Sequence, residues 1–514
     1  MSVDTTYAPA ILLQEFTGAA PGDLDAAYAR LVGALWSPGT VQDQTLWDGG
    51  TLTERAPSAV PELIDALGGL DDARAGRLLI LLGLIAEAGQ TEAVRAGLDR
   101  YLALADGASP ELGQALAYLL AHFPHDRDRV LGVTGRLGLD SGDRSRLDRC
   151  LTLMDERRSG LGRVWPAPEI WRLTDEERAF DQAWIGALSQ EQAEVNWRND
   201  SRTVWGYMGL KAYWAIRHGA VVDVPGPQAP PESDPTGDDP RLGLFARHLS
   251  ALVCPACRGP LDISGAAVRC PACAVAYPAS RGILDLTRAV RDDADEATAD
   301  LLKSLAEMPS MGLYYEALLR PEFLRVAGGN WGGAVTLADE DAYIARSVRP
   351  VDGPVLDLGA GAGRWTAVIA AAVGADRLLA LDLGLPMLNV LRRRVPDVPA
   401  VRASALDLPL ADASMGAVVC WNALQAVPDD AATAIAEVGR VLRPGGTFTL
   451  MTFVWDEDPV CRHFQAAHYF PSRPAGMLLF EREELDRWLA DAGMTVLDSG
   501  GPESFAFITA RRES

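Results

Sequence analysis

The sequence predicts a multidomain protein: an α-helical N-terminal region, a small metal-binding β ribbon, and an α/β domain with a parallel sheet. Three observations carry this reading. Apolar residues recur at helical spacing through the first 160 positions. Two C-x-x-C pairs, Cys254-Pro-Ala-Cys257 and Cys270-Pro-Ala-Cys273, follow a proline-rich stretch. Then a strand-like run, Val355-Leu-Asp-Leu358, leads straight into glycines at 359, 361 and 363.

Residues 1–160 read as paired helices. Pro61–Leu67 and Arg77–Ile85 make an outer and an inner helix; Glu92–Leu104 and Pro110–His122 repeat the pairing, and Asp126–Leu137 with Arg144–Met154 repeat it again. Repeated helix pairs suggest an α-solenoid, and Ala59–Leu67 (AVPELIDAL) resembles the start of a HEAT-type repeat. A non-repeating bundle fits the same periodicity. A solenoid surface binds a protein, a peptide or a second copy of the chain. His122 and His125, beside Pro124, read as a helix end rather than as ligands. Residues 161–222 are helical and rich in tryptophan (165, 171, 184, 197, 205 and 214), a pattern of core or domain interface. Residues 223–242, proline-rich and acidic, are a linker.

Residues 243–290 hold the two cysteine pairs. Four thiolates on two tight knuckles, with a hairpin's length between them, surround one tetrahedral Zn²⁺. Cys254, Cys257, Cys270 and Cys273 leave no open coordination position, so the metal is structural: a segment this small cannot bury enough core alone. Cys150, Cys420 and Cys461 read as core or incidental thiols.

Residues 291–514 form the α/β domain. Glycines are needed where a strand turns into a helix and a ligand lies against bare backbone. The helix that follows offers N–H groups and a positive dipole end to a carboxylate or phosphate. The spacing is G-x-G-x-G, not the dinucleotide G-x-G-x-x-G. A second apolar strand, Leu378–Leu381, ends in Asp382, where an acid can accept the hydroxyls of a ribose. A further strand, Ala417–Cys420, is preceded by Asp407-Leu-Pro-Leu410. Helix Asp430–Leu442, turn Arg443-Pro-Gly-Gly446 and strand Thr447–Phe453 come next. Helix Glu483–Ala492 and strands Thr495–Leu497 and Ser504–Ala510 complete the sheet with an antiparallel edge.

In that order, LDLGAGAGRW, the acid-ended second strand, LDLPL and EVGRVLRPGGTFTL resemble the Rossmann-like class I S-adenosylmethionine (SAM) methyltransferases, over about residues 311–514. The resemblance implies SAM as cofactor. Its methionine end would lie on Asp357, Gly359, Ala360, Gly361 and Gly363, its ribose on Asp382 with Leu383, and its adenine by Ser404, Ala405 and Leu406. Trp421 and Asn422 close the set. Two positions depart from the family: Ser404 stands where an acid often bonds the adenine amino group, and Gly416 replaces the acid of S-F-D-x-V. Tyr314 and Tyr315 fall in a region that in the family often covers SAM. The ribbon resembles those placed before methyltransferase domains, including those of large-subunit rRNA guanine methyltransferases.

The acceptor is expected over the C-terminal ends of the strands, near Trp421, Asn422, Gln425 and the loop after Phe453 with Trp455–Asp458. His463 and His468 are the candidate bases, since a histidine near neutral pKa suits an O-methyl transfer. The expectation is methyl transfer to O or N of a small molecule or peptide, in a biosynthetic pathway. The alternatives are an RNA base methyltransferase of the zinc-ribbon type, an inactive interaction scaffold, and another SAM-fold chemistry such as cyclisation.

The totals bound these readings. At 514 residues the chain exceeds one core, and 48% apolar residues suffice for several. A net charge of −23 weighs against nucleic acid and anionic membrane. The longest apolar run, Leu78–Ala86, is too short to span a bilayer. With no basic, apolar leader pattern and its cysteines in metal-type pairs, the chain is expected in the cytoplasm.

Overall fold

The computed structural model describes residues 9–38, 49–154, 173–224, 226, 239–265, 267–287, 308–468 and 477–513. Most of the expected linker, Trp165, Trp171 and the stretch 288–307 lie outside them. The chain divides into two compact units: one of residues 1–170, 182–223 and 456–477, the other of 171–181, 224–455 and 478–514.

The first unit is helical. Helix α1 (Asp72–Ile85) starts where the Asp71 side chain accepts the Arg74 N–H at 2.9 Å. From Ala75 to Ile85 every residue is buried, so α1 is an interior helix. Helix α2 (Pro110–Leu120) begins with a Ser109 cap and proline at its first position, and α3 (Gln190–His218) with a Ser189/Gln192 capping box. These three helices pack on one another. The expected helix Glu92–Leu104 is two short ones, Thr91–Arg95 and Leu98–Leu104, with the Tyr101 hydroxyl donating to the Val94 carbonyl at 2.8 Å across the break. Two tryptophans serve packing: the Arg149 guanidinium lies 3.4 Å from the Trp197 ring centre, and Trp205 stacks on His122 at 4.8 Å.

The second unit is built on a nine-stranded sheet. Its strands are β1 (Ala279–Ser280), β2 (Ile283–Asp285), β3 (Val355–Leu358), β4 (Leu378–Asp382), β5 (Ala400–Arg402), β6 (Met415–Trp421), β7 (Leu442–Phe453), β8 (Met494–Gly500) and β9 (Phe505–Arg512). The order is β8-β9-β7-β6-β3-β4-β5-β2-β1. All pairs from β7 to β2 are parallel; β7–β9, β9–β8 and β2–β1 are antiparallel. Helices α4 (Arg364–Val373), α5 (Leu385–Arg394) and α6 (Ala431–Val441) join the parallel strands. Strand β5 was not foreseen, being three residues long after Pro399. The ribbon is not a separate body either. Its last two strands extend the sheet, Ile283 opposite Ala400 and Asp285 opposite Arg402. Leu252 bridges Leu410, and one apolar core runs from Leu261 and Val268 to Val401 and Leu408.

After β7 the chain returns to the helical unit with helix α7 (Pro459–Ala466). Asp458 caps α7 through the Val460 N–H at 2.8 Å, and its other oxygen accepts the Tyr213 hydroxyl at 2.7 Å. His463 Nε2 lies 3.0 Å from Glu87 Oε2, while Glu87 Oε1 accepts the Tyr118 hydroxyl at 2.6 Å and faces His122 Nε2 at 3.2 Å. His122 Nδ1 faces the Leu119 carbonyl at 3.1 Å. Both nitrogens of His122 therefore face oxygens. Burial pushes the Glu87 carboxyl up, but hydrogen bonds and charge from His122 and His463 outweigh it and hold it at about 2. His468 donates from Nδ1 to the Phe464 carbonyl at 3.0 Å, and burial pulls its pKa down to about 3.

These contacts correct one expectation. His463 and His468, the candidate bases, are interior residues of the helical unit, 2% and 1% exposed. His122 is the helix end expected, just past α2, and faces a buried carboxylate.

The depressed pKa of His468 has a signed consequence. Below the unfolded value of about 6.5 the unfolded chain binds a proton that the folded chain refuses, so stability falls on acidification, by about 1.4 kcal/mol per pH unit, down to a folded pKa of about 3. His468→Asn keeps a donor for the Phe464 carbonyl without a titrating ring. Its melting transition should lose less between pH 6.5 and 4.5 than the wild type's; parallel pH profiles would refute this assignment.

Candidate functional site

Strand order reverses at β3, whose neighbours β4 and β6 connect to opposite sides, and a crevice opens at the C-terminal ends of such strands. Gly359, Gly361 and Gly363 all have positive φ, at 70°, 54° and 83°. A Cβ on Gly359 would lie 2.3 Å from Ala423 Cβ, whereas a Cβ on Gly361 would meet nothing within 4 Å. The loop is thus pinned at one glycine and open at the next, a cradle of bare backbone.

Beside it lies a cavity of about 230 Å³ between the sheet and α6. Leu424, Val427, Ile435, Val438 and Phe448 make it apolar, and Asp382 and Ser404 are its polar side chains. One Asp382 oxygen accepts the Gly361 N–H and the other the Gly384 N–H, both at 2.8 Å. Burial raises the Asp382 pKa, opposed by these backbone donors. The Leu383 N–H adds a third backbone donor, and the carboxylate's remaining lone-pair capacity suits a ribose hydroxyl. Ser404 Oγ accepts the Leu406 N–H at 3.1 Å, closing the turn that carries Ser404 and Ala405 into the cavity wall.

Of the expected cofactor residues, Gly359, Asp382, Leu383, Ser404 and Ala405 line this cavity. Ala360, Gly361 and Gly363 belong to the cradle; Leu406 supplies the turn's N–H. Three others sit elsewhere. Asp357 is buried behind the loop and accepts the Thr366 hydroxyl at 2.5 Å, its carboxyl pushed by burial to about 7. Trp421 is in the core, its indole N–H on Glu340 at 2.6 Å, and Glu340 in turn holds Arg320 at 2.7 Å. Asn422 takes a left-handed φ of 55° at the end of β6, its Oδ1 accepting the Gln425 amide at 2.6 Å.

The α4 N-terminus was expected to offer free N–H groups to a ligand. One of them, the Arg364 N–H, is taken by the buried Glu316 carboxylate at 3.4 Å, which also pairs with Arg394 at 2.7 Å. Glu316 precedes the cradle by more than 40 residues, and no local pattern marks it.

Gly416, the second departure, is explained by space. A Cβ there would lie 2.4 Å from the Val351 carbonyl, because residues 351–354 cross close against Gly416. The Gly416 N–H donates to the Pro354 carbonyl at 2.7 Å.

In the ribbon, the sulfurs of Cys254, Cys257, Cys270 and Cys273 all lie within 4.8 Å of one another. The Cys254–Cys273 and Cys257–Cys270 separations are 3.6 and 3.4 Å. Zn–S bonds of about 2.3 Å give a tetrahedral edge of about 3.8 Å, so the donor set fits zinc. The Tyr277 hydroxyl, 2.9 Å from the Cys254 sulfur, supports that ligand from outside.

Residues 355–446 match the family model described as Methyltransferase domain. Residues 246–282 match the model of the Trm112p-like protein, and they hold the cysteine cluster. An uncharacterized chloroplastic methyltransferase of Arabidopsis thaliana is 29% identical over 203 residues, 38% of this chain and 55% of the relative. An uncharacterized methyltransferase of Mycobacterium tuberculosis is 44% identical over 103 residues, 20% of this chain and 41% of the relative. The demethylmenaquinone methyltransferase of Paenarthrobacter aurescens is 32% identical over 159 residues, 27% of this chain and 62% of the relative. The chain thus spans about half the length of the curated relatives it matches. Among solved structures, a chain from the complex between the Haloferax volcanii Trm112 methyltransferase activator and a methyltransferase has a TM-score of 0.30 at 19% identity, covering 37% of this chain and 95% of that one. Likeness at that level assigns no role to this chain. No described helix is long and apolar enough to cross a membrane.

Restoring the family's acid at Gly416 should damage the domain. Gly416→Asp is expected to cost about 3 kcal/mol by forcing a side chain against the Val351 carbonyl. A thermal melt would show the loss, and an unchanged melting temperature would contradict the crossing described above.

Proposed function

We propose that the sheet unit binds S-adenosylmethionine in this cavity and transfers its methyl group to an oxygen or nitrogen of a small-molecule or peptide acceptor. One observation carries the reading: a half-buried carboxylate, Asp382, at the lip of an apolar cavity and hydrogen-bonded to the open glycine of the cradle. When bound, the cofactor supplies an electrophilic methyl group on a sulfonium. The chain's residues hold and orient it. Asp382 takes the ribose, the wall from Ser404 to Val427 takes the adenine, and the cradle leaves room for the methionine end. Ser404 has no charged oxygen for the adenine amino group, so apolar packing carries that end. No role as base is proposed for His463 or His468, which the helical unit holds inside.

A cytoplasmic, biosynthetic setting belongs to the same proposal, since thiolate ligands persist under reducing conditions. The HEAT-like reading of residues 1–160, with docking of a protein partner or second copy, is a proposal resting on the sequence pattern.

Calorimetric titration of S-adenosylhomocysteine tests the cofactor reading. Asp382→Ala should weaken binding at least tenfold, about 1.4 kcal/mol. Ser404→Asp should tighten it about three- to tenfold, one oxygen keeping the turn and the other free for an amino group. No binding to folded, zinc-loaded wild type would refute the reading.

A further inference from the structure

The two metal knuckles are near twins. In the first, the Arg258 N–H donates to the Cys254 carbonyl at 2.7 Å and the Cys254 N–H to the Gly259 carbonyl at 2.8 Å. In the second, the Ala274 N–H donates to the Cys270 carbonyl at 2.8 Å and the Cys270 N–H to the Val275 carbonyl at 2.9 Å. The residue after the second cysteine is left-handed in both, Arg258 at φ 61° and Ala274 at φ 62°. That conformation disfavours a long side chain, and in the second knuckle an exposed alanine suffices. Holding the metal does not call for an arginine at 258.

The Arg258 side chain reaches into the sheet unit. Its Nη1 donates to the Leu408 carbonyl at 2.9 Å and its Nη2 to the Leu410 carbonyl at 3.1 Å, with Asp407 at 3.4 Å. Arg440 of α6 holds the same two carbonyls, at 3.0 and 2.8 Å, and Glu437 accepts the Leu408 N–H at 2.8 Å. The Val253 N–H, one residue before the first cysteine, donates to the Pro409 carbonyl at 2.9 Å. The turn 408–410 is thus gripped by α6 on one side and the knuckle on the other. It follows at once on Ser404 and Ala405, which wall the cavity.

We propose that Arg258 is a positioning residue through which metal binding at the first knuckle and cofactor binding in the cavity are energetically coupled. The proposal rests on the cofactor reading above. Metal fixes the knuckle, the knuckle aims Arg258, and Arg258 with Val253 sets the turn that presents Ser404 and Ala405. Coupling is reciprocal: if metal strengthens cofactor binding by some factor, cofactor strengthens metal binding by the same factor.

Glycine substitution separates this role from a merely structural one, because glycine relieves the left-handed backbone at both twins. S-adenosylhomocysteine would be titrated into zinc-loaded wild type, Arg258→Gly and Ala274→Gly, and into wild type and Arg258→Gly after treatment with a chelator. Zinc-loaded Arg258→Gly should keep its metal yet bind at least fivefold more weakly, while Ala274→Gly binds as wild type. Removing zinc should weaken binding at least tenfold in wild type and less than threefold in Arg258→Gly. Wild-type affinity in zinc-loaded Arg258→Gly, or an equal loss in Ala274→Gly, would overturn the coupling and leave the cofactor reading standing. No binding to zinc-loaded wild type would overturn both. If the stripped chains unfold, the comparison of the two zinc-loaded glycine variants decides.

Discussion

The parallel pairing of β2 with β5 is the constraint on which the sheet unit depends. Strand β5 has three residues, and without β2 it would be the open edge of a parallel sheet, a position sheets do not leave bare. The Ala400 N–H donates to the Gly282 carbonyl at 3.1 Å, and the Leu286 N–H to the Arg402 carbonyl at 2.9 Å. Because β2 ends the ribbon, the edge is covered by the segment that carries the four clustered cysteines. The metal site and the sheet therefore share one core, and Leu252, Leu261 and Val268 bury against the same interior as Leu379 and Val401.

That arrangement bears on the chemistry of the cavity. The wall formed by Ala403–Ala405 leaves β5 directly, so the strand the ribbon secures is also the strand that delivers the cavity wall. The cavity's charged side chain is one carboxylate, held by backbone donors against a burial that raises its pKa. A lone carboxylate in apolar surroundings favours a ligand that brings hydroxyl donors or positive charge. The overall charge of −23 adds a long-range field of the same sense, attractive to a cationic sulfonium and repulsive to phosphates.

Much of this was legible in the residues, and the losses have physical causes. The cradle, Asp382 and the four cysteines are short-range patterns, each set by a local need: positive φ, an acid after a strand, two thiolates per turn. Strand β5 was hidden because three residues carry no period. Gly416 reads as a lost acid until the crossing of residues 351–354 is seen, a contact between segments more than 60 residues apart in sequence. Glu316 at the α4 N-terminus and Arg258 on the 408–410 turn belong to the same class. Long-range pairings set by topology leave little trace in a local pattern. Trp421 and Asn422 were placed correctly at the end of a strand, but which way a side chain turns there depends on neighbours such as Glu340 and Gln425.

The histidines make the sharpest case. A histidine after a strand of this fold suggests a base, and nothing local contradicts that. Its partner, Glu87, lies 376 residues away in sequence. Yet the geometry at Glu87 leaves little spare capacity for chemistry: the carboxylate serves a tyrosine and two imidazoles. A buried polar cluster of this kind gives little net stability over well-packed apolar residues, while removing one member leaves its partners unsatisfied at a cost of about 1–3 kcal/mol each. What it does supply is register. Apolar contacts alone would let α7 slide by a turn; a carboxylate that must meet His463 while holding Tyr118 and His122 allows one seat. The segment after β7 is thus held in the helical unit by hydrogen bonds as well as by shape, and an apolar side chain at position 87 would leave Tyr118, His122 and His463 without their shared acceptor.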